Sequence, residues 1–115
     1  MSTNYYLRMS ACDRACDHCA REQEIHLGQN AGGWRFLHRA YREYQPTGVG
    51  FSVQDRASWL RLLTLGEVYD EYGARVDRDD LIKLTEDAQI RRPRDQYNEY
   101  DFVADGYDFS EGEFS

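Results

Sequence analysis

Long apolar runs, export signals and low-complexity tracts are all missing from this chain. No stretch approaches the roughly 20 apolar residues that cross a bilayer, and residues 1–10 lack the apolar block of a secretion signal. These absences argue against a membrane-spanning or exported protein. We therefore expect a cytoplasmic protein without a membrane partner.

Cysteine is absent after position 19, and the three cysteines form an odd set. Without an export signal, an odd number disfavours a disulfide framework and favours reduced thiols or metal-bound thiolates. Basic residues are absent from the other end of the chain. Residues 1–94 contain 14 acidic and 14 basic side chains, whereas residues 95–115 contain seven acidic and none basic, which accounts for the net charge of −7. Nucleic acid is accordingly an unfavourable partner, because phosphates require cationic surface.

What the chain does contain is enough apolar surface for one folded domain. It has 115 residues, of which 41% are hydrophobic and 14% aromatic. We expect a β-rich metal-binding part at about 1–45, a helical part at about 52–92 and an acidic, aromatic segment at 95–115, all within a single domain 1–115.

Local patterns predict strands in the first part and helices in the second. β-Prone residues predict three strands, at Tyr5–Leu7, Glu24–Leu27 and Trp34–His38. Glycines predict a turn at Gly28–Gly33, between the second and the third strand. A capping box at Ser52 and Asp55 predicts a helix from about Asp55 to Leu65, with Gly66 as its C-cap.

The remaining middle segment is expected to form a hairpin and a second helix. The hairpin turns at Tyr72-Gly73. Asp77 then caps a helix that ends before Pro93 and whose apolar face is Leu81, Leu84 and Ala88.

The cysteines suggest a zinc site that closes the fold. Two thiolates spaced by two residues can both reach one ion, so Cys16 and Cys19 are the first two predicted ligands. His26 and His38 would complete a neutral Cys2His2 site, whereas replacing one histidine by Cys12, the reserve ligand, gives a negatively charged one. The alternative is that the cysteine pair is accidental and the thiols are merely buried.

Strand alternation separates the two histidines. His38 shares its face with Trp34 and Phe36 and should point inward, whereas His26 shares the face of Glu24. Either ring is equally compatible with ligation or with ordinary packing.

Catalytic interpretations of the same residues are weaker. The deaminase signature is absent, three thiolates are too few for an iron–sulfur cluster, and no recognised general base accompanies the cysteines. The sequence therefore predicts no catalytic residues and favours structural zinc, with a metal-dependent enzyme or a nucleic-acid-binding zinc module as the alternative. Arg35, Arg39 and Arg42 interleave with aromatic residues, but alternation makes Arg35, Leu37 and Arg39 the solvent face of a strand.

The acidic C-terminal segment has two interpretations. Its carboxylates can imitate a phosphate backbone and bind a cationic partner, or Tyr107, Phe109 and Phe114 pack as a final strand whose wet face carries the acids. The candidate partner-binding residues are Asp101, Asp105, Asp108, Glu111 and Glu113.

Several short motifs together resemble a family of small uncharacterised bacteriophage proteins. They are Asn4-Tyr5-Tyr6-Leu7-Arg8, Cys16-x2-Cys19, Glu24-Ile25-His26-Leu27-Gly28, Gly33-Trp34-x-Phe36, Asp70-Glu71-Tyr72-Gly73, and Gly106-Tyr107-x-Phe109-Ser110 with Glu113-Phe114-Ser115. The resemblance spans nearly the whole chain and implies no known activity. It favours Cys16, Cys19 and His26 over Cys12, and it implies a host-directed accessory protein in the bacterial cytoplasm.

Together these patterns predict an α+β domain. A small antiparallel, β-rich, zinc-stapled N-terminal part packs with two helices, and the C-terminal segment returns as a strand. The expected function is non-enzymatic binding of a host macromolecule, most simply a host protein, with inhibition of a host enzyme or defence system as one form.

Overall fold

The computed structural model describes residues 2–8, 24–41, 51–91 and 100–112. Within these ranges the protein is an α+β fold that joins one mixed sheet to two helices. The strands are β1 (Ser2–Arg8), β2 (Glu24–Ala31), β3 (Leu37–Arg39), β4 (Glu67–Asp70), β5 (Arg75–Val76), β6 (Asp101–Ala104) and β7 (Tyr107–Ser110). The helices are α1 (Arg56–Leu63) and α2 (Arg78–Asp87), and a short 3-10 turn, Ala88–Ile90, follows α2.

The sheet draws its strands from all parts of the chain, in the order β5-β4-β1-β2-β3-β7-β6. All pairings are antiparallel except that of β3 with β7, which is parallel. The prediction that the C-terminal segment returns to the sheet is confirmed. It returns as a hairpin of two strands, however, and β7 lies inside the sheet beside β3. The sheet is therefore larger than the N-terminal antiparallel unit that the sequence predicts.

Both helices pack on one face of the sheet, which we call the helix-covered face. Strand residues and helix residues form a single buried cluster there, which includes Leu7, Val68, Phe109, Trp59 and Leu81. The Trp59 indole Nε1–H donates to the Leu27 carbonyl at 2.9 Å, so the largest core side chain also satisfies its polar atom. Neither described helix has the length and apolar content required to cross a membrane.

The sequence predicts a turn at Gly28–Gly33, but strand β2 continues through the first part of this segment to Ala31. A bulge shifts its register with β1 between Tyr5 and Tyr6. Gly28 pairs with both Tyr5 and His38, and a Cβ built on it would lie 2.4 Å from Phe36 Cε1. The glycine is therefore required by the close approach of the Phe36 ring and not by a turn. The third strand is also shorter than the predicted Trp34–His38.

Helix α1 is found where the sequence predicts it, with different ends. Asp55 is the N-cap and forms a capping box with Ser58, whose backbone N–H donates to Asp55 Oδ1 at 2.8 Å. The predicted box of Ser52 with Asp55 is wrong, because Asp55 occupies the cap position itself. The C-cap is Thr64, two residues before Gly66.

The hairpin and the second helix agree closely with the prediction. Strands β4 and β5 are joined by a turn in which Gly73 has a φ of +84°. The Asp77 side chain caps α2 by accepting from the Asp79 N–H. Of the predicted apolar face, Leu81 and Ala88 are buried, whereas Leu84 is half-buried.

A two-residue turn that the sequence analysis overlooked joins β6 to β7. Asp105 and Gly106 have positive φ angles of 55° and 82°. This is the combination that a type I′ turn requires, and Asp-Gly between alternating apolar residues is its usual sequence signature. The sequence from Phe102 to Phe109 therefore contains the signature of this hairpin.

Candidate functional site

The cysteines predicted to bind zinc, Cys12, Cys16 and Cys19, lie outside the described residues. They belong to segment 9–23, which connects β1 to β2. The strands at either end of that segment are tied together, since Arg8 pairs with Glu24 and its Nε donates to Glu24 Oε2 at 3.1 Å. The cysteine segment therefore follows the end of β1 and precedes the start of β2, and these two strand ends are paired with each other.

His26 lies on β2 only two residues after this re-entry point. It pairs with Tyr6, and the two rings are 5.1 Å apart. Its Nε2 lies 3.0 Å from Asn4 Oδ1, and its backbone carbonyl accepts from the Tyr41 hydroxyl. Burial, and secondly the Arg39 charge, lowers the pKa of His26 to about 4, so the ring is neutral at pH 7. The ring also hydrogen-bonds to the Gly28 backbone, which opposes this lowering of the pKa. A neutral ring is the protonation state that a histidine metal ligand requires.

His38 occupies a different place, on the helix-covered face. Its ring is completely buried and lies 4.6 Å from the Trp59 ring and 4.7 Å from the Phe109 ring. Its Nδ1–H donates to the Asp108 carbonyl at 2.9 Å, and its Nε2 accepts from Arg56 Nη1 at 2.8 Å. This network assigns the Nδ1–H tautomer and engages both ring nitrogens.

The structure therefore does not bring His26 and His38 together. His26 stands among Asn4, Tyr6 and Arg39 on the face opposite the helices, whereas His38 lies beneath Trp59. A single metal ion cannot contact both rings, because the sheet lies between them. A shell that uses both histidines is disfavoured by this placement, and His26 is the better placed of the two.

The partner of His38 is a buried arginine that sequence analysis overlooked. Arg56 is only 7% exposed. Its guanidinium lies 4.3 Å from the Tyr107 ring centroid and 5.1 Å from that of Trp59, and its Nη2 is 3.8 Å from Glu86 Oε1. Burial lowers the pKa of Arg56 below its usual value. The guanidinium retains its charge nonetheless, so aromatic faces and a neutral histidine solvate it inside the fold.

Acid should destabilise the protein through His38. Burial, reinforced by Arg56, lowers the pKa of His38 to about 3 from 6.5. Between these values the unfolded chain binds a proton that the folded chain does not, so stability is lost as pH falls below about 6.5. The slope is about 1.4 kcal/mol per pH unit for this group.

Urea unfolding at pH 7.0 and pH 5.5 measures this loss. Wild type should lose about 1 kcal/mol more between the two pH values than His38→Gln, which retains a donor and an acceptor but does not titrate. His26 titrates in both proteins, so the comparison isolates His38. Equal losses in the two proteins would show that the pKa of His38 is the same in the folded protein as in the unfolded chain.

The predicted partner-binding acids divide into structural and surface groups. Asp108 is completely buried, so its predicted place on a solvent-facing surface is wrong. Its cross-strand neighbour on β3, Leu37, is only 4% exposed, so this part of the sheet face is covered and does not meet solvent. Asp105 is exposed, yet its Oδ2 accepts from the Arg56 backbone N–H at 3.2 Å. An anion at a helix N-terminus is favourable, so Asp105 fastens the β6–β7 turn to α1.

Two further acids lie at the start and end of the hairpin. Glu111 Oε1 accepts from Gln54 Nε2 at 3.0 Å, and Asp101 is half-buried at the start of β6. Glu113 lies outside the described residues. Asp101 and Glu111 are therefore the described acids that remain suited to a surface role.

The predicted arginine stripe is anchored to backbone carbonyls. Arg35 Nε donates to the Gln89 carbonyl at 3.1 Å, and Arg39 Nη1 donates to the Gly112 carbonyl. The intervening Leu37 is 4% exposed, so its predicted solvent-facing position is also wrong. Arg42 lies outside the described residues.

The described residues do not form an evident catalytic arrangement. No group of three possible metal ligands occurs among them. A groove of about 400 Å³ lies between Glu67–Val68, Arg75–Val76 and the start of α2, but its Glu67 and Arg75 pair with one another at 3.1 Å. The groove thus presents an internally neutralised pair and no activated nucleophile or base.

Comparison with known proteins adds no relative. No protein-family model, curated protein or solved structure matches the chain.

Proposed function

We propose that this chain is a small, zinc-stapled, non-enzymatic phage protein that acts by binding a host macromolecule in the bacterial cytoplasm. The observation that carries the proposal is the β6–β7 hairpin at one end of the sheet. Residues 100–112 contain no basic side chain, and three of their four acids, Asp101, Asp105 and Glu111, are at least partly exposed. Tyr100 and Val103 are 51% and 53% exposed. An acidic surface with exposed apolar side chains suits a basic protein partner.

The hairpin geometry identifies the backbone groups that a partner can reach. In a two-residue hairpin the residues flanking the turn, Ala104 and Tyr107, exchange hydrogen bonds, and the pattern then alternates. The N–H groups of Phe102 and Ala104 therefore point toward β7, whereas that of Val103 points away from it. Strand β6 is one of the two edge strands of the described sheet, and β5 is the other. An extended basic segment of the partner can add to β6 by strand pairing.

The proposed contact residues are Tyr100, Asp101, Val103 and Glu111, with Glu113 as a predicted addition. Asp105 and Asp108 act indirectly, because one fastens the turn to α1 and the other is buried in β7. The partner is a host protein with a cationic surface, and nucleic-acid-handling or defence enzymes have such surfaces. Zinc has a structural role in this proposal, since it closes segment 9–23 onto the end of β1 and β2.

Two hairpin variants should weaken capture of a basic host protein while the fold is retained. Val103→Pro removes the outward N–H at an edge position where proline is tolerated, and Asp101→Asn removes one charge. We expect the double variant to lower the association rate for the protein captured from host lysate by about tenfold at low salt. Surface plasmon resonance at two salt concentrations measures this rate.

The matched control carries Asp80→Asn and Asp87→Asn, exposed acids on α2. It changes the same kind of charge away from the hairpin and should bind like wild type. Circular dichroism melts establish that each variant remains folded. Capture that is unchanged by the hairpin variant, or reduced equally by the control, would contradict the proposed surface.

A further inference from the structure

A second exposed surface, opposite in charge to the hairpin, lies where the 3-10 turn meets the β2–β3 connection. We call it the Ile90 surface and define it as Arg35, Ile90 and Arg91. It contributes nothing to the proposed hairpin contact and is made of different residues.

The 3-10 turn that carries Ile90 is fastened on several sides. Ala88 is completely buried in the core. The Gln89 side chain donates from Nε2 to the Gly106 carbonyl at 2.7 Å, and the Gln89 backbone carbonyl accepts from Arg35 Nε. The Arg91 N–H donates to the Ala88 carbonyl at 3.0 Å. The turn is therefore held in place before any partner binds, which lowers the entropy cost of association.

On this fixed turn, Ile90 is 93% exposed. It is the most exposed of the large apolar side chains in the part of the chain that the structure describes. A single exposed apolar residue is common on protein surfaces and does not indicate a binding site. The chemistry of a binding partner must therefore be inferred from the charged side chains beside Ile90.

The flanking arginines are held by uncharged acceptors. Arg35 donates to the Gln89 carbonyl, and Arg91 Nη1 donates to Asn30 Oδ1 at 2.8 Å. Among the described residues no carboxylate pairs with either guanidinium, in contrast to Arg8 with Glu24 and Arg75 with Glu67. Each guanidinium has five N–H donors, of which these contacts use one. Two positioned cations without counter-charge among their described neighbours, in a chain of net charge −7, form a local site for anionic groups.

We infer that the Ile90 surface docks a protein segment in which carboxylates flank an apolar side chain. The two guanidinium groups would receive the carboxylates in bidentate fashion, and the apolar side chain would cover Ile90. A nucleic acid fits less well, because its continuous phosphate charge would meet the acidic remainder of this chain. The partner's chemistry is thus opposite to that expected at the hairpin.

Selection from a random dodecapeptide display library on the immobilised full-length protein tests the inference. Enriched peptides should be acidic and contain at least one large apolar residue. Synthetic versions should bind at least about tenfold more weakly to the triple variant Ile90→Ser, Arg35→Ser, Arg91→Ser. Because Ile90 is exposed and Arg35 and Arg91 are only partly buried, thermal melts should show the variant to be folded, with at most a small loss from the two missing arginine hydrogen bonds.

A control triple variant, Leu65→Ser, Arg8→Ser, Arg75→Ser, removes one exposed aliphatic side chain and two arginines elsewhere and should bind like wild type. Val103→Pro with Asp101→Asn should also leave peptide binding unchanged, so failure of the hairpin proposal and failure of this one are distinguishable. The inference is overturned by the absence of enrichment, by peptides without an acidic excess, or by equal binding to the Ile90 variant. Tighter binding of a single-stranded oligothymidine than of the peptides would overturn it as well.

Discussion

Gly28→Ala is expected to destabilise the protein by at least about 3 kcal/mol, the upper range of overpacking costs in a close-packed core. The new methyl carbon would lie 2.4 Å from Phe36 Cε1 and 2.5 Å from the Leu37 carbonyl oxygen. Phe36 is completely buried, and the Leu37 carbonyl belongs to a strand paired on both sides. Neither neighbour can move without disturbing the sheet. Urea unfolding of wild type and variant measures the difference in free energy.

Gly33→Ala is the matched control for this prediction. Gly33 also has a conformation that favours glycine, with a φ of +84°, but nothing lies within 4 Å of the position that a Cβ would take there. Its substitution should therefore cost only the backbone strain, about 1 to 2 kcal/mol. The two variants separate steric exclusion from backbone conformation. If Gly28→Ala cost no more than Gly33→Ala, the Phe36 ring would not occupy the space the structure assigns to it.

Local chemistry accounts for the features that sequence predicted correctly. Asp77 caps α2 with its own side chain, and Gly73 supplies a positive φ in the β4–β5 turn. Each signal acts over a few residues and needs no partner elsewhere in the chain. The same reasoning would have found the Asp105-Gly106 turn, which two adjacent residues specify.

Features set by distant pairing were not predictable from local patterns. Alternation placed Asp108 on the wet face of a terminal strand, but β7 pairs in parallel with β3, a strand from much earlier in the chain, and β6 covers its other side. Arg56 begins a helix, where sequence gives no reason to bury it. Its environment depends on Tyr107 and His38, which the sheet brings together from two separate segments.

The ligands of the proposed zinc ion were partly predictable from local patterns. Spacing from the cysteines does not distinguish His26 from His38, but strand alternation correctly predicts that His38 points into the core and that His26 does not share its face. The sheet separates them, because the bulge between β1 and β2 and the pairing of His38 with Gly28 place the two rings on opposite faces. We therefore propose Cys12, Cys16, Cys19 and His26 as the zinc ligands. Cys12, the reserve ligand, takes the place of His38 in this set.

Removal of zinc is the second change with a large expected effect. Structural zinc contributes on the order of 10 kcal/mol to folding in small modules near neutral pH, which is comparable with the whole stability of a domain this size. We expect about one zinc per purified chain, and we expect a strong chelator to unfold the β1–β2 end of the sheet. Elemental analysis measures the metal, and circular dichroism with and without chelator measures the fold.

Single substitutions identify the ligands within that experiment. Cys16→Ser, Cys19→Ser and His26→Ala should each lose zinc and stability together, because each removes one of four bonds to the ion. His38→Gln should retain zinc, since His38 lies on the helix-covered face with both ring nitrogens already hydrogen-bonded. Cys12→Ser should lose it. A folded wild-type protein without zinc would refute the staple, whereas zinc loss in His38→Gln with retention in Cys12→Ser would restore the two-histidine site and require a rearranged sheet.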